Sequence, residues 1–172
     1  EYPEYKAQRD AIPEDIVDQF PFVDRLFDAM NMTTIRMPGY EADDIIGTLV
    51  GEAEAEGYDT WMVTPDKDYH QLVTERAAIY KPGRQGSNHE IMGIRQVLDK
   101  WQIESVDQVI DILALMGDSS DNIPGIPGIG PKKRRNLLRQ FGSIKKIRDS
   151  SAEDIASTPG ITPKLAEQIL DY

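Results

Sequence analysis

The sequence predicts an α/β protein in two parts: a parallel-sheet core over residues 1–115, then an all-helical, helix-hairpin-helix region over residues 116–172. Three observations carry this. Short β-branched and apolar runs alternate with longer helical patterns in the first part. No strand pattern appears in the last third. There, a Gly/Pro-rich turn opening onto a helix occurs twice.

Taken in order, Pro13-Glu14-Asp15 starts a helical pattern in which Ile16, Phe20, Val23, Leu26, Phe27 and Met30 recur at three- and four-residue spacing, with Pro21 as a kink or restart. Residues 33–37 read as a strand stopped by Pro38-Gly39. Residues 42–56 fit a helix ending at Gly57, and residues 60–64 a buried strand ending at Pro65, with Trp61 in the sheet core. A further strand, residues 77–81, precedes a loop over residues 82–88. Helices follow over residues 91–101, with Trp101 in the core, and over residues 106–116.

A length of 172 residues at 40% hydrophobic content allows a real core. The chain has no cysteine, which excludes disulfides, thiolate metal sites and cysteine nucleophiles. The longest apolar stretch, near Val109 to Met116, is broken by Asp111, and nothing near Glu1 resembles an export signal, so a soluble, cytoplasmic protein with no membrane partner is expected; a monomer is a separate expectation that these features do not establish. Opening at Glu1 rather than Met, the chain reads as a piece of a longer protein.

The net charge of −11 argues at first against nucleic acid. Its distribution reverses that argument. Between Pro131 and Arg148 lie Lys132, Lys133, Arg134, Arg135, Arg139, Lys145, Lys146 and Arg148 with no acid among them, leaving the remainder at −19. One end is a basic patch, which by charge alone is either a solvated face or a phosphate-binding one.

Acids gather where strands and helices end. Glu41, Asp43 and Asp44 follow the first expected strand, and Asp66 and Asp68 follow the second. Asp118 and Asp121 sit in Gly117-Asp118-Ser119-Ser120-Asp121-Asn122 after the apolar helix. Each group alone has a plain explanation: acids suit a helix N-terminus, and Asp suits a turn. Together they would converge beyond the strand ends, where their repulsion calls for cations, and hard oxygen donors select Mg²⁺ or Mn²⁺.

In the tail, Ile126-Pro127-Gly128-Ile129-Gly130-Pro131-Lys132 is a tight hairpin opening onto the basic helix, where backbone N–H groups suit a phosphate. Thirty-two positions later Pro159-Gly160-Ile161-Thr162-Pro163-Lys164 repeats it with Thr162 in place of Gly130, and is otherwise less basic. A helix-hairpin-helix of this kind contacts phosphates rather than base edges, which makes Gly128, Gly130, Lys132, Lys133 and Arg134 candidate contacts for DNA of any sequence.

Four phrases now support a resemblance: Tyr2-Pro3-Glu4-Tyr5-Lys6-Ala7-Gln8-Arg9, Gly39-Tyr40-Glu41-Ala42-Asp43-Asp44-Ile45-Ile46-Gly47-Thr48-Leu49, Thr64-Pro65-Asp66-Lys67-Asp68-Tyr69-His70-Gln71-Leu72 and Gly117-Asp118-Ser119-Ser120-Asp121-Asn122-Ile123-Pro124-Gly125. In this order they resemble the 5′→3′ exonuclease domain of bacterial DNA polymerase I, with phage 5′ nucleases and flap endonucleases as relatives. The resemblance implies a PIN-like nuclease core, here incomplete at its N-terminus, and two-metal hydrolysis of 5′ flaps, nicks or branched DNA in replication and repair.

It also implies roles. Glu41, Asp43 and Asp44 would serve a first metal, and Asp66, Asp68, Asp118 and Asp121 would complete the cluster toward a second. Lys6 and Arg9, in an element similar to the family's arch or gateway helix, would meet the scissile phosphate. A K⁺ or Na⁺ would sit at residues 125–130, and fusion to a polymerase in the parent chain stays open. An upstream strand with its metal-binding Asp is expected before Glu1, so this chain is expected to bind DNA and cut it poorly. A non-catalytic DNA-binding module and a PIN-type ribonuclease stay open as rival readings. His70 and His89 have no Ser or Cys partner in a triad-like phrase and read as structural or surface residues.

Overall fold

A computed structural model describes residues 2–83 and 88–172; Glu1 and residues 84–87, part of the expected loop over residues 82–88, lie outside the described residues. The expected first helix is two, α1 (Glu14–Val17) and α2 (Phe20–Ala29), with Pro21 in the first turn of the second, as its fixed φ favours. Helix α3 (Ala42–Ala55) leads into strand β1 (Thr60–Val63), a short 3-10 helix (Asp68–Leu72) and β2 (Ala77–Lys81). After β3 (Glu90–Met92) the chain is helical: α4 (Ile94–Trp101), α5 (Gln108–Met116), α6 (Pro131–Phe141), α7 (Ile144–Arg148), α8 (Ala152–Ala156) and α9 (Pro163–Asp171).

The sheet has the order β1-β2-β3. Its β1–β2 pair is parallel, with Met62 opposite Ile79, while β3 runs antiparallel to β2, with Ile79 opposite Met92. The sheet is therefore mixed rather than wholly parallel. Residues 91 and 92, expected to open a helix, belong with residue 90 to the strand on β2's free edge instead, and α4 begins only at Ile94.

Two further expectations fail. Residues 33–37 form no regular element, are exposed, and pair with no strand among the described residues. Backbone groups that water can satisfy gain little from a ladder, so a β-like composition alone does not make a strand. Strand β1 is buried on one face only: Met62 points into the core beside Val50 of α3, while Trp61 and Val63 are 56% and 67% exposed. Alternation sends neighbouring side chains to opposite faces, and no described element covers the second face.

Two apolar clusters form the interior. One joins Val50, Met62, Val73, Ile79, Met92 and Val97 to Val109. The other joins Ile112 and Leu115 to Ile126, Leu137, Ile155, Leu165 and Ile169 of the helical region. Helix α5 contributes to both, so it is the rigid link between sheet and hairpins.

His70 is 2% exposed and accepts a 2.9 Å hydrogen bond from Trp101 Nε1 at Nδ1, joining the 3-10 helix to α4. Both residues are thus structural, as expected. Burial, assisted by the charges of Lys100 and Lys81, pushes the imidazole down to about 4, although Asp66 and Glu90 act in the opposite sense. The unfolded chain, with the ordinary value near 6.5, takes up this proton first. His70 should therefore contribute its full stability above about pH 6.5 and lose it as pH falls toward 4, at most about 3 kcal/mol. Urea unfolding of wild type against His70→Gln across that window should show a stability difference that shrinks with acidification; a pH-independent difference would refute it.

Candidate metal and nucleic-acid site

Three loops bring the acids together. Glu41 is the N-cap of α3, where its backbone N–H donates to Asp44 Oδ2 at 3.1 Å in a capping box. After β1, Asp66 Oδ1 accepts the backbone N–H of Asp68 at 3.1 Å, which turns the chain into the 3-10 helix and points Lys67 and Asp68 inward. After α5, Asp118 Oδ1 accepts the N–H of Ser120 at 2.7 Å, and Asp118 and Ile123 exchange backbone hydrogen bonds at 2.8 and 2.7 Å. Gly117 ends α5 at φ 68°, and its backbone lies so close to Gly125 that a Cβ on either would collide with main-chain atoms.

The N-terminal segment straps across the last loop. The Lys6 N–H donates to the Asp121 carbonyl at 3.0 Å, and Gln8 Nε2 donates to the Ser119 and Ser120 carbonyls at 2.9 and 3.1 Å. Asn122 Nδ2 answers with a 2.8 Å bond to the Glu4 carbonyl. The helix implied for this segment is replaced by successive turns, because Lys6 takes a left-handed conformation at φ 56° and the backbone bonds span three residues. Its two basic side chains still reach the acids: Lys6 pairs with Glu41, which Tyr5 also contacts with a 3.1 Å hydrogen bond, and Arg9 pairs with Asp121.

The result is one cleft of about 260 Å³ lined by Glu41, Asp43, Asp66, Asp68, Asp118 and Asp121 with Lys6, Arg9, Lys67 and Ser120. Six of the seven candidate acids thus meet. Asp44 does not: it caps α3 and lines a neighbouring groove with Thr48 and Gln71. Lys67 was overlooked in the sequence, although a basic residue set between two acids was its visible signal.

Environment splits the carboxylates. The hydrogen bond to Lys6 holds Glu41 below its ordinary value, and the bond to Lys67 does the same for Asp118. Burial pushes Asp68 up, against the pull of Lys67. Its Oδ1 is buried with no hydrogen-bond donor placed to satisfy it, although Lys67 Nζ stands 3.3 Å away as an ion-pair contact. Burial pulls Lys67 down, but its hydrogen bond to Asp118 and the charge of Asp68 outweigh that and leave it raised. Among the described residues no three acids surround one point as a finished cage, and Lys6, Arg9 and Lys67 pair with Glu41, Asp121 and Asp118. Convergent carboxylates and an orphaned carboxylate oxygen fit a hard divalent cation.

The hairpins form a second candidate site. Gly128 and Gly160 share the left-handed conformation, at φ 82° and 90°. The Ile129 and Ile161 N–H groups close the same turn, onto Ile126 and Thr158 at 3.3 and 3.0 Å. Thr162 departs from Gly130 for a local reason: its hydroxyl caps α9 by accepting the Leu165 N–H at 3.3 Å. The two copies touch, Asn136 Nδ2 donating to the Pro159 carbonyl at 2.9 Å, and enclose a groove of about 380 Å³ with Gly130, Lys132, Lys133 and Gly160 on its walls. Lys132 is exposed, Lys133 donates to the Gly128 carbonyl at 2.9 Å, and Arg134 is half-buried, its pKa lowered by burial.

Residues 1–102 match the family described as 5′-3′ exonuclease, N-terminal resolvase-like domain, and residues 104–172 match 5′-3′ exonuclease, C-terminal SAM fold. The chain is 39% identical to DNA polymerase I of Bacillus subtilis over 152 residues, 88% of this chain. It is 36% identical to that of Deinococcus radiodurans over 167 residues, 97% of this chain. It spans 17% of the length of each of these relatives. Among solved structures, the T5 D15 protein co-crystallized with metal ions aligns at a TM-score of 0.78 and 26% identity, covering 98% of this chain and 62% of that one. The bacteriophage T5 D15 flap endonuclease in a pseudo-enzyme-product complex with DNA and metal ions aligns at 0.71 and 26% identity, covering 98% of this chain and 65% of that one.

The Gly117–Gly125 contact makes a prediction about the loop that carries Asp118. Gly125→Ala should lower unfolding free energy by more than about 2 kcal/mol, since only backbone can yield. Gly51→Ala, in a helix with open space around it, should change stability little or raise it slightly. Denaturant midpoints of the two variants would check the contrast.

Proposed function

The chain belongs to the 5′-3′ exonuclease family, and from that premise we propose that its acidic cleft hydrolyses phosphodiester bonds of DNA at 5′ ends and 5′ flaps, in replication and repair in a bacterial cytosol. One observation carries this reading: acids from three separate loops and two basic side chains from the N-terminal segment line a single cleft. Asp66, Asp68, Asp118 and Asp121 on one side, and Glu41 and Asp43 on the other, would hold two Mg²⁺ or Mn²⁺ ions, with Asp44 acting through the α3 N-terminus or a bound water. Bound there, such ions supply Lewis acidity for an in-line displacement at phosphorus.

The chain's own groups do the rest. Lys6 and Arg9 are mounted where the phosphate accumulates negative charge, and they neutralise it when substrate draws them from Glu41 and Asp121. The first hairpin offers the exposed backbone around Gly128 and Gly130 and the ammonium groups of Lys132 and Lys133 to a phosphate strand, with Arg134 supporting them from its half-buried position. A K⁺ at residues 125–130 would share that phosphate. The relatives' names suggest a polymerase in the same parent protein, and the protein would act as a monomer on DNA without sequence preference.

Incubation of a 5′-flap DNA and a matched RNA with and without Mg²⁺ tests the proposal. This chain alone should bind the DNA and cut it weakly; in the longer parent protein cleavage should require the ion and favour DNA, and Asp68→Asn and Asp118→Asn should each slow it about 100-fold or more, with DNA binding kept. Equal cutting of RNA, or cutting indifferent to both substitutions, would refute it.

DNA binding gives a separate expectation. Affinity should fall with salt at a log–log slope of roughly −0.9 per phosphate neutralised, and Lys132→Ala with Lys133→Ala should flatten it by about 2 without changing sequence preference. Fluorescence anisotropy across a salt series would measure this; an unchanged slope would move the DNA contact elsewhere.

A further inference from the structure

We infer that Lys67 is a built-in counter-ion of the acidic cleft, holding Asp68 and Asp118 together until a divalent cation displaces its ammonium. The inference rests on the metal-binding reading of the cleft proposed above. Lys67 lies between two of the cleft's acids on the loop after β1, and its Nζ is 2.5 Å from Asp118 Oδ2 and 3.3 Å from Asp68 Oδ1. One ammonium thus ties that loop to the loop after α5, 51 residues further along the chain.

The oxygens it meets are those a metal would need. Asp118 Oδ1 accepts the Ser120 N–H, while Oδ2, the oxygen turned to Lys67, accepts no backbone bond. Asp68 Oδ1 is buried and has no other donor placed to satisfy it. A hard cation held by these two carboxylates would have to take the place of the ammonium, because two positive charges repel strongly at that separation. The side chains are partly shielded from water, 35% exposed for Lys67 and 17% for Asp118, so the ion pair is less screened than a surface one.

Lys67 differs from Lys6 and Arg9 in where it is mounted. Those two ride on the N-terminal strap, whereas Lys67 belongs to the acid-bearing loop itself and cannot leave the cleft. Its four-carbon stem lets the charged head swing aside while the backbone stays in place. Without metal it offsets the repulsion between Asp68 and Asp118. With metal it is a tethered competitor that weakens ion binding and leaves an ammonium free at the cleft's edge.

Mn²⁺ binding to the DNA-free protein, measured by electron paramagnetic resonance, tests this without any turnover. Lys67→Met keeps the stem and removes the charge; it should bind Mn²⁺ about fivefold more tightly or better, and melt at a lower temperature than wild type in EDTA. Unchanged or weaker binding by a folded variant would overturn the inference. In wild type, nitrogen-15 spectra at low temperature should show a hydrogen-bonded Lys67 Nζ signal that disappears as Mg²⁺ saturates the protein, and a signal that survives saturation would overturn it even if the variant cannot be made. Loss of Mn²⁺ binding in Asp118→Asn separates the two ideas. If wild type binds through Asp118 and Lys67→Met changes nothing, only this inference falls; if wild type binds no Mn²⁺ in the cleft, the proposed function falls with it.

Discussion

Carboxylates crowded around one cleft repel one another, and the fold sets an intramolecular cation beside each loop that carries them. Lys6 meets Glu41 at the start of α3, Lys67 meets Asp68 and Asp118, and Arg9 meets Asp121. Partly exposed ion pairs contribute little stability one by one. Their arrangement matters more here, because each joins segments far apart in the chain: the N-terminal strap to α3, the β1 loop to the α5 loop, and the strap to the α5 loop again. Charges that must be offset thus act as the ties that assemble the cleft.

The loops also carry local bonds of their own. Asp66 and Asp118 each accept a backbone N–H from two residues ahead, which shapes the turn on which the ion pairs are set. Helix α5 then sets the distance between the two sites. Its last turn passes through Gly117 into the Asp118 loop, the chain returns so that the Ile126 N–H reaches the Leu115 carbonyl at 3.2 Å, and the first hairpin starts there. Carboxylate cleft and hairpin are both mounted on one helix, whose buried face packs into both apolar clusters.

Much of this was legible in the residues. The acid groups stood out because each follows a Pro or Gly that ends an element, and the paired hairpins because Gly128 and Gly160 occupy positions where an ordinary side chain would be strained. The repeat even survives in the backbone, although Thr162 replaces a glycine, since a hydroxyl cap serves the start of α9 as well. Residues 33–37 misled because strand composition reports a preference for half-buried pleated surfaces and says nothing of whether a neighbour is present. Trp61 misled for the same reason: alternation shows that β1 has two faces, but not which one is covered.

The sequence by itself determined the family phrases, the α/β-to-helical order, the helix of residues 42–55 and the chemistry available at each loop, all of which depend on neighbours close along the chain. Only the tertiary structure decided that Asp44 turns to cap its own helix, that Lys67 bridges two loops, that β3 runs against β2, and that Trp101 secures a neutral His70. These outcomes depend on contacts between residues tens of positions apart. Local pattern carries propensity and spacing, whereas the partner that satisfies a buried charge or hydrogen bond is chosen when distant segments pack.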